Sequence, residues 1–150
     1  MERTLLIIKP DGVQRSLIGS IIDRFERKGL KVVGLKLTRL SNIQAEELYS
    51  VHKGKLFYKP LIEFITSAPI VAVALEGKDA IQAVRKLMGA TDPIIAEPGS
   101  LRGDYSMDMR HNLVHASDSL ESFKREFKIV FNDDEVYDYI RCDEKVMYSD

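Results

Sequence analysis

Cysteine is nearly absent from this sequence, which has Cys142 as its single cysteine among 150 residues. A lone cysteine has no partner in the chain for a disulfide, and nothing in the sequence resembles a cysteine metal site. Disulfides form and persist mainly in oxidising environments. The composition therefore indicates a protein of a reducing compartment.

Long apolar runs are missing as well. The first apolar run extends from Leu5 to Ile8 and is closed by Lys9 and Pro10. It is too short for the core of a signal peptide and far too short to span a bilayer. We therefore expect a cytoplasmic protein with no membrane partner.

The chain also lacks an excess of positive charge. Lysine and arginine total 22 against 23 for aspartate and glutamate, which gives a formal net charge of -1. Dedicated nucleic-acid-binding domains usually carry a basic excess. The charge balance argues against nucleic acid as a dedicated partner.

The common glycine-rich phosphate loops are absent from the sequence. It contains neither a G-x-x-x-x-G-K-[ST] loop nor a G-x-G-x-x-G fingerprint, and no H-E-x-x-H zinc motif. If phosphates bind to this protein, side chains must hold them.

The hydrophobic pattern predicts alternating strands and helices in one domain, residues 1–150. Strands are expected at 4–8, 31–40, 70–75 and 112–115; helices are expected from 18 to Gly29, after a cap at Asn42, at 61–68, from 78 to Gly89, and after a cap at Asp118 or Ser119. This order predicts an α+β fold, with a four-stranded antiparallel sheet covered by helices. The ferredoxin-like βαββαβ sandwich is its simplest known form.

One stretch, at about residues 90–110, has no usable periodicity. It contains Pro93, Pro98, Gly99 and Gly103. Long irregular segments inside compact domains are uncommon, and they are usually functional or disordered. We expect a long irregular loop here.

Several side chains could bind phosphate. Lys9 follows the first strand at a Lys-Pro-Asp-Gly turn, Arg85 lies near the end of a helix, and Thr91 and Arg102 lie in the irregular stretch. A guanidinium group matches phosphate oxygens in a bidentate way, and a lysine supplies a point charge. Each of these residues alone is more typical of a solvated surface position, so they indicate a site only if they converge.

The segment around His115 carries the most chemical information. An imidazole with an unperturbed pKa near 6.5 can be a neutral nucleophile at pH 7, provided that a partner fixes its tautomer. Glu126 could be that partner, since it shares a helical face with Ser119 and Ser122. A purely structural histidine is the alternative. Asn112 can face the same pocket as His115 only if the strand bends or begins after Asn112.

Three motifs in this order resemble those of the nucleoside diphosphate kinase family. They are Ile8-Lys9-Pro10-Asp11-Gly12-Val13, Arg102-Gly103-Asp104-Tyr105, and the run from Asn112 to Ser119, Asn-Leu-Val-His-Ala-Ser-Asp-Ser. The similarity continues in register from about Thr4 to Tyr139. It departs from the family at His111, often arginine or lysine there, at Met109, commonly valine, and at Ala116, commonly glycine.

The resemblance implies a ferredoxin-like fold and a reaction. The family moves the terminal phosphate of a nucleoside triphosphate (ATP, GTP and others) onto a nucleoside diphosphate, with Mg²⁺, through a phosphohistidine and by a ping-pong mechanism. It also implies a homo-oligomer, with a hexamer built from dimers favoured over a tetramer. A nucleotide-binding regulatory module with an inert His115 is the main alternative. An RNA-binding RRM domain is disfavoured by the charge and by the lack of an aromatic-rich strand.

The resemblance also implies a role for each matching residue. His115 would attack through Nδ1, while Glu126 holds the other ring nitrogen with Ser117 nearby. Phe57 would stack on the base, Leu61 and Met109 would pack beside it, and Asp118 would lie near the metal, through water. The groups implied to bind phosphates and ribose are Lys9, Tyr49, Arg85, Thr91, Arg102 and Asn112. A base held mainly by stacking implies broad base specificity.

Overall fold

Four antiparallel strands form one sheet in the computed structural model, which describes residues 1–149. Asp150, the last residue of the predicted domain, lies outside the described residues. The strand order is β2-β3-β1-β4, so β1 and β3 are central. The sheet confirms the predicted α+β architecture. The strands are β1 (Glu2–Ile8), β2 (Lys31–Thr38), β3 (Ile70–Gly77) and β4 (Val114–Ala116).

Helices cover both faces of this sheet. Two short 3₁₀ turns, Ser50–His52 and Asp133–Glu135, supplement them. None of the helices within residues 1–149 is long and apolar enough to cross a membrane. The helices are α1 (Pro10–Gln14), α2 (Ile18–Lys28), α3 (Asn42–Leu48), α4 (Tyr58–Thr66), α5 (Ala80–Met88), α6 (Leu101–Tyr105), α7 (Leu120–Val130) and α8 (Glu144–Met147).

The continuous apolar run of β1 is explained by these two layers. Leu5 and Ile7 face a core formed with α3, α4 and α7, whereas Leu6 and Ile8 face a second core formed with α2, α5 and α6. All four side chains are fully buried. A strand that is covered on both faces has no solvent side, so its sequence does not alternate.

The start of α3 differs from the prediction that Asn42 is its cap. Ser41 is the cap: its hydroxyl accepts a hydrogen bond from the Gln44 backbone N–H, and the Gln44 side chain accepts one from the Ser41 N–H. This reciprocal pair satisfies two N–H groups at once, which a cap at Asn42 would leave unpaired. Glycine stops were predicted correctly, since Gly29 and Gly89 follow α2 and α5.

Strand β2 lies at the edge of the sheet, and part of its apolar pattern is exposed. Val33 is buried, but Leu35 and Leu37 are 55% and 64% exposed. A register shift between Val32 and Gly34 interrupts the pairing with β3. The alternation therefore predicted the strand correctly, although two of its leucines do not enter the core.

The stretch at 90–110 is not entirely irregular, because it contains helix α6. The Ser100 hydroxyl accepts a hydrogen bond from the Gly103 N–H and caps this helix. Arg24 holds the segment to α2, donating to the Gly99 carbonyl and forming an ion pair with Asp104. A five-residue helix is barely longer than one turn, so it leaves no periodic pattern for sequence analysis to detect.

The last strand begins later than predicted. Residues 112–115 were expected to form it, but β4 is Val114–Ala116. Leu113 has a positive φ of 72°, and the Val114 N–H donates to the Asn112 carbonyl at 2.9 Å. This tight turn precedes the strand. The strand begins after Asn112, which is one of the two conditions under which Asn112 and His115 can face the same pocket.

Gly103 is a position where a side chain cannot fit. A Cβ there would meet the backbone carbonyl of Glu97 and lie 2.9 Å from Ser100 Oγ. We expect Gly103→Ala to lower the free energy of unfolding by about 1–3 kcal/mol, because overpacking forces the backbone to move. Urea unfolding at a fixed protein concentration measures it.

Gly19 provides the matched control, because it lies in α2 with open space around the Cβ position. Gly19→Ala should raise the free energy of unfolding by about 0.4–1 kcal/mol, since alanine restricts the unfolded chain. Equal effects of the two substitutions would show that packing around Gly103 does not constrain the segment.

Candidate active site

A cavity of about 670 Å³ opens where β1 ends and β4 begins, between the α3–α4 region and residues 108–112. Its volume is within the range of small-molecule binding sites. Every site residue predicted from the sequence lines this cavity except Ser117, which lies behind Glu126. The residues that were ambiguous one by one therefore do converge.

His115 lies in β4, and Glu126 in α7 holds its ring. His115 Nε2 is 3.2 Å from Glu126 Oε2, and Ser117 Oγ donates to the same oxygen at 2.5 Å. Burial opposes ionisation of Glu126, but the hydrogen bonds from His115 and Ser117 outweigh it and lower the pKa of its carboxyl. An ionised carboxylate can only accept, so the hydrogen lies on Nε2. The lone pair is then on Nδ1, which has no hydrogen bond within residues 1–149.

Tyr49 forms the wall beside the histidine. Its ring meets His115 edge-on, with centroids 5.4 Å apart and planes at 82°. Burial, together with the charge of Glu126, raises the pKa of the Tyr49 hydroxyl, so this group stays protonated. The hydroxyl is buried and has no hydrogen-bond partner in the described chain. The Tyr49 hydroxyl could therefore still form a hydrogen bond with a molecule in the cavity.

Lys9 brings a buried positive charge to the floor of the cavity. The residue is 6% exposed, and its Nζ donates to Asn112 Oδ1 at 2.7 Å. Burial, with a contribution from the charge of Arg102, lowers the pKa of Lys9 to about 8. A buried cation that is only partly compensated attracts an anion.

Arg102 is the second buried cation, and it comes from α6. Its guanidinium donates to the backbone carbonyls of Gly89 (3.1 Å), Asn112 (3.2 Å) and Val114 (2.7 Å). Burial, with the charge of Arg85, lowers the pKa of Arg102 to about 10. Arg102 therefore links the end of α5, the turn before β4 and β4 itself, while it lines the cavity.

Arg85 and Thr91 lie at the more exposed side of the same cavity. Arg85 Nη1 donates to the Ala116 carbonyl at 3.4 Å. The Thr91 carbonyl accepts from Asn112 Nδ2 at 3.1 Å, so both ends of the Asn112 amide are used. These contacts place three cations, Lys9, Arg85 and Arg102, around one space.

The outer wall of the cavity is apolar. Phe57 is 45% exposed and Met109 is 59% exposed, whereas Leu61 in α4 is buried behind them. Lys55 lies over the Phe57 ring, with Nζ 5.5 Å from its centroid. An exposed aromatic face at the mouth of a pocket offers a surface for a planar ligand.

Asp118 stands on the rim of the cavity. A hydrogen bond from Ser122 Oγ, at 2.6 Å, lowers the pKa of its carboxyl, so it is ionised at neutral pH. Residues 1–149 hold no group of three or more histidine, cysteine, aspartate or glutamate side chains placed to bind a metal. One carboxylate on the rim fits Mg²⁺, which proteins commonly bind through one or two carboxylates plus phosphates and waters.

Sequence analysis assigned no role to several polar residues at this site, among them Asp11, His52 and Arg125. Asp11 is buried beneath the cavity and accepts a hydrogen bond from the Leu113 N–H. His52 lines the cavity, with its ring 5.1 Å from that of Phe57. Arg125 lines it too and lies 3.5 Å from Glu126 Oε1. Only Asp11 had a detectable signal, its place in the Lys-Pro-Asp-Gly turn.

Comparison with known proteins gives one consistent answer. A family model described as nucleoside diphosphate kinase matches residues 2–136. The nucleoside diphosphate kinase of Staphylothermus marinus is 59% identical over 138 residues, which are 92% of this chain and 98% of that protein. The chain belongs to the nucleoside diphosphate kinase family. A second relative, from Hyperthermus butylicus, is 54% identical and covers 91% of this chain and 96% of its own.

A solved family member has nearly the same backbone. The nucleoside diphosphate kinase of Halobacterium salinarum, solved in complex with CDP, superposes with a TM-score of 0.96 at 48% identity, and 99% of each chain is covered. The predicted ferredoxin-like fold and the resemblance seen in the sequence are both confirmed.

The departures from the family pattern are accommodated locally. Ala116 is not among the positive-φ residues, so a side chain fits where glycine is common. His111 packs edge-on against Phe64, with centroids 4.6 Å apart, and its Nδ1 is 3.0 Å from Asp108 Oδ1. Neither change removes a polar group from the cavity floor.

Proposed function

We propose that this chain transfers the terminal phosphate of a nucleoside triphosphate to a nucleoside diphosphate through a phosphorylated His115. The family's activity, phosphate transfer between nucleotides through a phosphohistidine, is that of this chain. The observation that supports His115 as the phosphorylated residue is the pairing of Nε2 with Glu126, which leaves the Nδ1 lone pair available in a cavity that Lys9, Arg85 and Arg102 line.

The chemistry follows from that arrangement. The Nδ1 lone pair forms a bond to the γ-phosphorus as the bond to the β–γ bridging oxygen breaks, and the nucleoside diphosphate leaves with that oxygen. The proton stays on Nε2 and is hydrogen-bonded to Glu126, whose carboxylate stabilises the positive charge that develops on the ring. A second nucleoside diphosphate then takes the phosphoryl group by the reverse step, which gives ping-pong kinetics.

The cations supply most of the acceleration in this proposal. Lys9, Arg85 and Arg102 surround the position of the transferring group and neutralise charge on its oxygens. Tyr49 and Asn112 add hydrogen-bonding groups beside them, with Thr91 on the rim. Mg²⁺, held by the nucleotide phosphates and through water by Asp118, would align the phosphates and neutralise further charge.

The base is proposed to stack on Phe57, with Leu61 and Met109 beside it. These three side chains offer apolar surface and no hydrogen-bonding edge, so purines and pyrimidines would bind alike. The Halobacterium salinarum relative was solved with CDP, a pyrimidine nucleotide. This complex supports a site that binds pyrimidines as well as purines. We propose broad base specificity, with ATP/ADP and GTP/GDP among the substrates.

A covalent intermediate is the direct test. Incubation with γ-labelled ATP and Mg²⁺, without an acceptor, should leave one phosphate per subunit on His115. The label should be lost in acid and survive in alkali, because a phosphoramidate is labile in acid and stable in alkali. Added ADP should take up the labelled phosphate and form ATP. His115→Ala should lose about 10³-fold or more in turnover, because no other nucleophile lies in this position.

The other histidines are the matched controls for the label. His52→Ala and His111→Ala should both still be phosphorylated, since neither ring contacts Glu126. Reversible nucleotide binding without any label would instead indicate a regulatory module. A label on another residue, or retained transfer by His115→Ala, would refute the mechanism.

Removal of the Phe57 ring tests base recognition. Phe57→Ala should weaken nucleotide binding by about 1–3 kcal/mol, to a similar extent for ADP, GDP and CDP, because every base has a stacking face. Calorimetric titration of the three nucleotides measures it. A loss confined to one base would mean that base edges are read, contrary to the proposal.

The oligomeric state is proposed to be a hexamer built from dimers. Two separate apolar surfaces support two kinds of interface: Leu35 and Leu37 on β2, and Ile94 and Ile95 in the irregular segment, the latter 67% and 72% exposed. Light scattering at micromolar concentration should give the hexamer mass, and Ile94→Asp with Ile95→Asp should leave dimers. A monomer mass for the unmodified protein would refute the proposal, and a tetramer mass would support the runner-up.

The remaining proposals concern organisation and location. We propose that residues 1–150 form one catalytic domain, since the cavity draws residues from β1 through α7. We also propose a cytoplasmic location, where an exposed thiol such as that of Cys142 stays reduced.

A further inference from the structure

The turn before β4 is held in a strained conformation. Leu113 is fully buried and has a φ of 72°, while the Val114 N–H donates to the Asn112 carbonyl across it. A three-residue turn whose central residue has positive φ is a rare and costly arrangement for a bulky side chain. Such strain persists only where surrounding groups hold it.

Asp11 and the backbone of Lys9 hold this turn from both sides. Asp11 Oδ2 accepts the Leu113 N–H at 3.0 Å, and the Leu113 carbonyl accepts the Lys9 N–H at 2.7 Å. The peptide groups before and after Leu113 are therefore both fixed by the start of α1. Without Asp11, the Leu113 N–H would be buried and unpaired, and the peptide could rotate.

The phosphate-binding groups depend on the same turn. The Asn112 side chain accepts from Lys9 Nζ, and the Asn112 carbonyl accepts from Arg102 Nε. The Val114 carbonyl accepts from Arg102 Nη2, and His115 is the next residue. Rotation of the Asn112–Leu113 peptide would displace two cations and the nucleophile together.

The second carboxylate oxygen of Asp11 does not contribute to holding the turn. Oδ1 is buried and has no hydrogen-bond partner within residues 1–149. Its charge acts on two buried neighbours, because it raises the pKa of Lys9 and of Arg102 against the larger lowering by burial. A buried carboxylate next to two cations, with one oxygen hydrogen-bonded and the other without a partner within residues 1–149, indicates an electrostatic role as well as a hydrogen bond.

We propose that Asp11 is a positioning residue for phosphoryl transfer, which holds the turn from Asn112 to Val114 and offsets the charge of Lys9 and Arg102. This inference rests on the proposed function of His115. Asp11 itself does not line the cavity, so it acts through the residues that do.

Two substitutions separate the hydrogen bond from the charge. Asp11→Asn keeps an oxygen that can accept the Leu113 N–H but removes the charge, and Asp11→Ala removes both. Glu2→Gln and Glu2→Ala are the matched controls, because Glu2 also accepts a backbone N–H, from Ile81 at 2.9 Å, at the opposite end of β1. The measurements are the single-turnover rate of His115 phosphorylation by γ-labelled ATP from pH 6 to 9, ADP affinity by calorimetry, and thermal stability.

Asp11→Ala should phosphorylate His115 on the order of 10²-fold more slowly at pH 6 to 6.5, and more slowly still at higher pH because it also lacks the charge. ADP affinity should be reduced far less, because misplaced groups harm the transition state most. Asp11→Asn should remain within a few-fold of the original rate at pH 6 to 6.5. Its rate should then fall at a lower pH than in the unmodified protein. Burial, with the charge of Arg102, lowers the pKa of Lys9 to about 8, and loss of the Asp11 charge would lower this pKa further, so Lys9 would lose its proton at a lower pH.

The outcomes are distinguishable. Absence of any label on His115 in the unmodified protein would refute the proposed function. Normal labelling there, with an equal rate in folded Asp11→Ala, would refute the turn-holding role of Asp11 alone. An Asp11→Asn pH profile that matches the unmodified protein would refute the charge role, and this variant answers the question even if Asp11→Ala does not fold. If both Glu2 variants slowed phosphorylation of His115 to the same extent, the effect of the Asp11 substitutions would reflect a general loss of stability and not positioning.

Discussion

The burial of Lys9 and Arg102 is the constraint on which the rest of the site depends. A cation removed from water is costly unless its donors are paired, and here backbone carbonyls of Gly89, Asn112 and Val114 surround Arg102, while the Asn112 amide takes Lys9. The chain from the end of α5 to β4 is therefore ordered around two charges as well as around the apolar core that Leu101 and Leu113 enter. Because the cations are already held in place, little reorganisation would be needed in the proposed binding of phosphate.

The proposed nucleophile, His115, depends on a different kind of order, which comes from hydrogen bonding at one carboxylate. Glu126 receives both the His115 ring and the Ser117 hydroxyl on a single oxygen. That pairing fixes which ring nitrogen carries the proton, and the edge-on Tyr49 ring limits rotation of the imidazole. The same small region contains a positive-φ leucine, and a tyrosine hydroxyl and a carboxylate oxygen that have no hydrogen-bond partner among residues 1–149. Departures from the usual rules of backbone conformation and hydrogen bonding cluster at functional sites, which need polar groups that are fixed in place and unpaired.

Several details could not be predicted because they arise from contacts between distant residues. Helix α6 has too few residues for a periodic pattern, and its Ser100 cap becomes visible only in three dimensions. The exposure of Leu35 and Leu37 depends on β2 lying at the sheet edge, which alternation alone does not reveal. Ser41 rather than Asn42 caps α3 because a reciprocal bond with Gln44 is possible only from that position. Local signals identify an element more reliably than its ends.

The sequence by itself determined the order of the four strands and of the longer helices, and the glycines that follow α2 and α5. These follow from periodicity, which is a local property. The cavity residues that sequence analysis named came mainly from the resemblance of the motifs to those of the nucleoside diphosphate kinase family, and that set lacked His52 and Arg125. Only the tertiary structure decided how the set works: that Nε2 of His115 faces Glu126, that Arg102 binds three carbonyls, and that Asp11 holds the turn at Leu113. Asp11 and Leu113 are 102 residues apart, and no local pattern encodes a hydrogen bond across that separation. Packing of β1 against β4 brings the two together.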